Sequence, residues 1–501
     1  MGADMEYGSF YHKYLCVNIP HFTERALDRK QISKFLKATP DVDARVHRAL
    51  SDVTAVHEFR HFHDCFGTRS GYTQFNAHHS RLIAFAEILN RLRKDKVKLQ
   101  LPLGDWAMKS SCPDYVKEFS RRIRNGRFLE RAFNGSLPII RRVGLESEPY
   151  VSIKYGGKVV LPAFPLSIKV IGLDKNDAAI GTEFETHFVP IGFEQVLEGN
   201  AQAIQRTVLE SVWPSDVVDR VWEAMTVSYE EQIDADFLFK PDEAFIRLPY
   251  NITDFTLSKY LRKKFGITSF PRDRLLDLSD RALMVGSCVK YAEFGKFSPP
   301  GGAFVTIMEG ASWKRKSDRQ VFPDMDFGGM LAEAVKAIKE GPNLVDFLPA
   351  RSISDILSYI LCYAQRFVVA PIFEARLKSD NRVMRSGSTY LRDFGSLPSP
   401  PMVVSRNGIS ANAELPKDFI AVWSKFVMFG ELAEQIWNDE SLLSCPRAYE
   451  SIPGLKYMEM FHPTGCDSQI SSRACLTWDS YRRTSLPKCY FSFLTEMLQL
   501  H

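Results

Sequence analysis

Residues 53–67, V-T-A-V-H-E-F-R-H-F-H-D-C-F-G, constrain this chain more than any other stretch. They contain His57-Glu58-Phe59-Arg60-His61, a complete H-E-x-x-H. Residues four apart on a helix lie one turn above each other on the same face. A helix here therefore points His57 and His61 at one ion, with Glu58 near enough to reach a water on it. Zinc chemistry needs this set: neutral nitrogen ligands, an open position for water, and a carboxylate to take that water's proton. A core helix with two ordinary hydrogen-bonded histidines is the competing reading of the same letters.

The surroundings favour a buried helix. Val53, Ala55, Val56, Phe59 and Phe62 are apolar, and no Pro or Gly intervenes before Gly67. Asp64, about two turns beyond His57, shares the ligand face and is placed to hold a ligand imidazole by a hydrogen bond. The spacing of Val42, Val46, Leu50, Val53 and Val56 carries the helix back to Thr39-Pro40-Asp41.

Further helices are predicted at 23–37, 80–95 (after a short loop, T-R-S-G-Y) and 113–124. From Tyr150 the pattern turns to strands: a hairpin at Gly156-Gly157, a separate strand in L-S-I-K-V-I-G, and an extended stretch at 183–189. Residues 191–212 read as helix again, followed by one from Pro214 to about Ile233. Later helices are expected at 256–264, 275–283, 328–339, 353–377 (kinked near Pro371) and 418–438, with breaks at 298–302 and 397–402. The fold class is α+β and predominantly helical. At 501 residues the chain exceeds one ordinary domain, and the division is expected at 1–235 and 236–501.

A net charge of +4 is small for this length and gives no argument for nucleic acid as the main partner. The basic runs at 91–98, 121–127 and 313–319 read as solvated faces. No run of 18 apolar residues appears, so no membrane span is expected. The N-terminus lacks the basic and apolar regions of a signal peptide, and Glu6 breaks a myristoylation motif. With nine scattered cysteines, reduced thiols in a cytoplasm fit best. Cys445, His462, Cys466, Cys475 and Cys489 cluster late but lack C-x-x-C spacing, which argues against a zinc knuckle.

A catalytic zinc needs a third protein ligand. Nine of the 11 histidines precede residue 190, which puts a metal centre in the N-terminal part. The H-E-x-x-H-x-x-G-x-x-H pattern is absent, because Asp64 and Gly67 hold its last two positions. Glu198, in L-E-G-N-A-Q-A, is the leading candidate; small Gly199 and Ala201 let two helices pack closely, and Gln202 is placed to bond a ligand histidine. Glu194, Asp64, Glu183, Glu185 and His187 are the alternatives.

H-E-F-R-H together with L-E-G-N-A-Q-A resembles the gluzincin group of zinc metallopeptidases. The resemblance implies zincin-like active-site helices, Zn2+ held by His57, His61 and Glu198, and Glu58 as general base. An oxyanion donor would come from Tyr72, His78, His79 or His187. The expectation is a cytoplasmic zinc endopeptidase acting on a narrow set of intracellular protein or peptide substrates. The edge of the 150–170 sheet would bind peptide by strand addition. The helical C-terminal half would select substrate or bind a regulatory partner. A non-enzymatic interaction protein with a structural or degenerate H-E-x-x-H helix is the alternative.

Overall fold

A short helix, α1 (Arg29–Ala38), leads into the motif helix, α2 (Val42–Gly67), which is the axis of the fold. The computed structural model describes residues 9–11, 15–19, 29–144, 146–156, 159–173, 179–222, 249–285, 299–313, 326–341, 353–405, 408–417 and 419–438. Asp41 caps α2 by accepting from the Asp43 backbone N–H at 3.1 Å. That bond satisfies one of the donors a helix start leaves open. From Ala55 through Gly67 every residue is buried, whatever its chemistry. Other elements must therefore surround this half of α2 on all sides.

The expected loop after Gly67 is missing. The chain turns on Thr68 alone and enters α3 (Arg69–Lys94). The Thr68 hydroxyl donates to Asp64 O at 2.6 Å and accepts from Gly71 N at 3.2 Å, so it serves both helix ends. Gly71 makes the tight joint possible, because a Cβ there would lie 2.1 Å from Cys65 O. After a single turn, α4 (Leu103–Trp106), the next helix, α5 (Asp114–Asn134), runs past the expected end at residue 124. It stops at Gly135, whose φ of +78° is a left-handed cap.

Among the described residues, eight strands make two sheets: β1 (Ser9–Tyr11), β2 (Cys16–Asn18), β3 (Ile140–Val143), β4 (Val151–Tyr155), β5 (Val159–Leu173), β6 (Ala179–Pro190), β7 (Met402–Ser405) and β8 (Gly408–Ala411). The second sheet is antiparallel, in the order β3-β6-β5-β4, and holds the expected hairpin, with Tyr155 opposite Val159. The strand expected separately at L-S-I-K-V-I-G is the continuation of β5. The first sheet, β1-β2-β7-β8, was not foreseen; its parallel β2–β7 pair sets Cys16 opposite Met402.

From β6 the chain passes into α6 (Phe193–Val212), which packs against α2. Helix α7 spans 215–222; the rest of the helix expected from Pro214 to Ile233 lies outside the described residues. The remaining helices are α8 (Pro249–Phe265), α9 (Arg272–Val285), α10 (Pro300–Gly310), α11 (Phe327–Lys339), α12 (Ile353–Ala364), α13 (Ala370–Lys378), α14 (Arg382–Arg385), α15 (Gly387–Asp393) and α16 (Phe419–Asn438). The expected break at 298–302 is in fact a helix start, with Pro300 in the first turn of α10. Where a kink or an end was expected near Pro371, the helix runs on through a π-helical segment, Gln365–Val369, which joins α12 to α13.

The fold is thus α+β and predominantly helical. Its main hydrophobic core joins residues from both halves of the chain, among them Phe62 and Phe66 of α2, Phe304 of α10, Leu357 of α12 and Trp423 of α16. Among the described residues one continuous helical stretch, Ile353–Lys378, is long and apolar enough to cross a membrane by length and composition. Half of its most apolar window is buried inside the protein.

Candidate metal centre

The i, i+4 spacing on α2 stacks His57 and His61, with ring centroids 4.5 Å apart and planes at 89°. Their Nε2 atoms are 2.9 Å apart. From α6, Glu198 brings Oε2 to 3.2 Å from His57 Nε2 and 3.1 Å from His61 Nε2. Three donors about 2.0–2.1 Å from one tetrahedral ion lie about 3.3 Å apart. The triangle of Nε2, Nε2 and Oε2 is close to that size. Three lone-pair atoms this close, in a buried place, need a cation or a shared proton between them. The residues therefore fit a divalent metal ion.

Both histidines are buried, whereas the Glu198 side chain keeps 22% of its surface exposed, so the centre opens to solvent on its α6 side. Burial raises the Glu198 carboxyl, but His61 and then His57 outweigh it by charge and hydrogen bond, and hold it well below the usual carboxylate range. Glu58 is buried as well. Burial pushes its carboxyl up to about 8, with His57 pulling it down and Glu198 pushing it further up.

Behind the ligands lies a buried ionic network that the sequence did not disclose. Asp64 Oδ2 accepts from Arg60 Nε at 2.9 Å and from Asn200 Nδ2 at 2.7 Å. Arg60 also donates from Nη2 to Met384 O at 2.9 Å. Asp64 is therefore engaged by Arg60 and Asn200, not by a ligand imidazole as expected. Farther along, Arg376 of α13 donates from Nη1 to Gly67 O at 2.7 Å, at the C-terminal end of α2. The same guanidinium reaches Asp280 of α9 at 2.9 and 3.0 Å, and Arg385 Nε meets Asp280 at 3.0 Å.

The other candidates lie elsewhere. Glu194 accepts from Ser136 Oγ at 3.0 Å, and Glu185 pairs with His187 at 3.0 Å on β6. The Glu183 side chain lies outside the described residues. Gln202 makes no hydrogen bond to either ligand histidine. Tyr72 packs edge-on against Phe373, and His79 stacks on Phe426 with Nδ1 donating to Phe75 O at 2.7 Å. His78 Nδ1 faces Arg81 Nη2 at 3.5 Å. His63 of α2, two residues after His61, is held by Tyr390 Oη and Pro398 O, both at 2.9 Å. Burial lowers its pKa to about 4. The late Cys/His cluster lies outside the described residues.

Among the described residues, His57, His61 and Glu198 are the one histidine, cysteine and acid group whose ligand atoms all lie within 4.8 Å of one another. Comparison with protein-family models, curated proteins and solved structures finds no match.

Proposed function

We propose that this protein is a zinc-dependent endopeptidase. The observation that carries the reading is the convergence of His57 Nε2, His61 Nε2 and Glu198 Oε2 beside the buried Glu58. Two imidazoles and one carboxylate suit zinc better than calcium or magnesium, which prefer oxygen ligands. The ion would be held by His57, His61 and Glu198, and when bound it supplies Lewis acidity to a water and to the substrate carbonyl.

The chain's own residues do the rest. Glu58 takes the proton of the attacking water and returns it to the leaving amine nitrogen. Its raised pKa without metal suits that role, because a nearby dication draws the carboxyl back toward ionisation. Glu198 stays anionic, which offsets part of the ion's charge. Substrate enters from the open α6 side, where Glu198 meets solvent. The edge strands of the β3-β6-β5-β4 sheet among the described residues, β3 and β4, offer strand pairing to an extended peptide.

A cytoplasmic setting and substrates found there are part of this reading. The C-terminal half would restrict which proteins are cut, directly or through a regulatory partner.

The test is metal analysis of the purified full-length chain. About one zinc per chain is expected, lost in His57→Ala. Glu58→Gln should keep zinc and lose cleavage of a peptide library. A wild-type chain that takes up no zinc, or a Glu58→Gln chain that still cleaves, overturns the reading.

A further inference from the structure

We infer that Asn200 is a positioning residue, which sets the register of α6 on α2 so that Glu198 completes the metal triangle. The inference rests on the metal-site reading above. Asn200 and Asp64 are both fully buried, and their side chains meet at 2.7 Å. Asn200 follows Glu198 by two residues, and Asp64 follows His61 by three. The bond therefore crosses the α2–α6 interface within about one helical turn of the ligands.

Apolar packing between two helices tolerates small slides, because it has no direction. A ligand set does not: a one-residue slip moves a helix about 1.5 Å along its axis and turns it about 100°, which takes Glu198 away from both imidazoles. A directional bond between buried partners removes that freedom. Asp64 is itself fixed, since Arg60 Nε holds the same Oδ2 at 2.9 Å and Arg60 Nη2 is tied to Met384 O at 2.9 Å. Asn200 touches neither metal ligand through a hydrogen bond, so its effect on the centre is indirect. Its neighbours are consistent with close approach: Gly199 and Ala201 are both buried at the helix contact.

The experiment uses the full-length chain with zinc alone, measured by chelator competition, and with cobalt(II) as a spectroscopic probe of ligand geometry. Wild type must bind both; if it does not, the metal-site reading fails first, and that failure is seen before any variant is compared. Asn200→Ala should weaken zinc binding about 10- to 100-fold and alter the cobalt absorption spectrum. Asn200→Leu, of similar size but without a donor, should do the same while leaving the Arg60–Asp64 pair intact. A residue that only supports the fold would lower the unfolding midpoint while leaving the cobalt spectrum of the folded protein unchanged. Wild-type affinity and spectrum in Asn200→Ala overturn the inference. Should Asn200→Ala not fold, Asn200→Leu decides alone: weakened zinc binding with a disturbed cobalt spectrum supports the assignment, and wild-type values overturn it.

Discussion

Removing the Asp280 carboxylate should be among the most costly single changes in this protein. Asp280 is fully buried and accepts three charge-assisted bonds, two from Arg376 at 2.9 and 3.0 Å and one from Arg385 at 3.0 Å. Together these guanidiniums hold its carboxyl below the usual range despite burial. Arg376 is also fully buried, so Asp280→Ala leaves a cation in the core with no carboxylate on it. Breaking a buried pair from one side costs about 3–5 kcal/mol, and the bond count places this case near the middle, at about 4 kcal/mol. Arg376 also donates to Gly67 O, so the damage reaches the end of the motif helix. Denaturant unfolding of the full chain, followed by far-UV circular dichroism, measures the loss. The double variant Asp280→Leu with Arg376→Met removes both charges and should regain at least half of it, because a well-packed apolar pair often equals a buried ion pair. A single variant that loses less than about 1 kcal/mol, or a double variant no better than the single, would refute the charge argument.

Three more outcomes are expected. Because burial lowers His63 to about 4 from an ordinary 6.5, the unfolded chain takes up that proton first as pH falls. Stability from this residue is therefore complete above pH 6.5 and lost between 6.5 and about 4, roughly 3 kcal/mol in all; His63→Gln should lack that part of the slope. Gly71→Ala would set a Cβ 2.1 Å from Cys65 O and should cost about 2 kcal/mol or more in a denaturant titration. Gly301→Ala would set a Cβ 1.8 Å from Ile191 O, just before α6, and should lower zinc affinity together with stability; unchanged affinity would show that the entry to α6 does not control Glu198.

The triangle of His57, His61 and Glu198 was legible in the sequence because its spacing is a property of one helix and its third member sits beside small residues. Two imidazoles at i, i+4 must share a face, and Gly199 and Ala201 announce a close helix contact. Asp64 was legible only as a polar residue near that face. Its partners, Asn200 and Arg60, depend on how α6 crosses α2, and no local pattern encodes a crossing. Asn200 carries a faint signal, a buried-type position on a helix occupied by an amide, which is easily taken for part of L-E-G-N-A-Q-A. The β2–β7 pairing was invisible for a similar reason: each strand is very short, and the partners are almost 400 positions apart. Helix ends were misplaced where a single side chain did the capping, as at Thr68, or where Pro opened a helix that looked like a break, as at Pro300.

The anchoring of Arg60 and Gly67 by residues near 280–385 bears on the order in which the protein becomes competent during synthesis. His57, Glu58, His61 and Glu198 have all been synthesised by residue 198. Of the groups that tie down the motif helix, Asp280 follows about 80 residues later, and Arg376 and Met384 almost two hundred. A nascent chain would thus carry a full complement of donors for a long interval before it owns the scaffold that fixes them. Assembly of the buried triangle is deferred until most of the polypeptide exists.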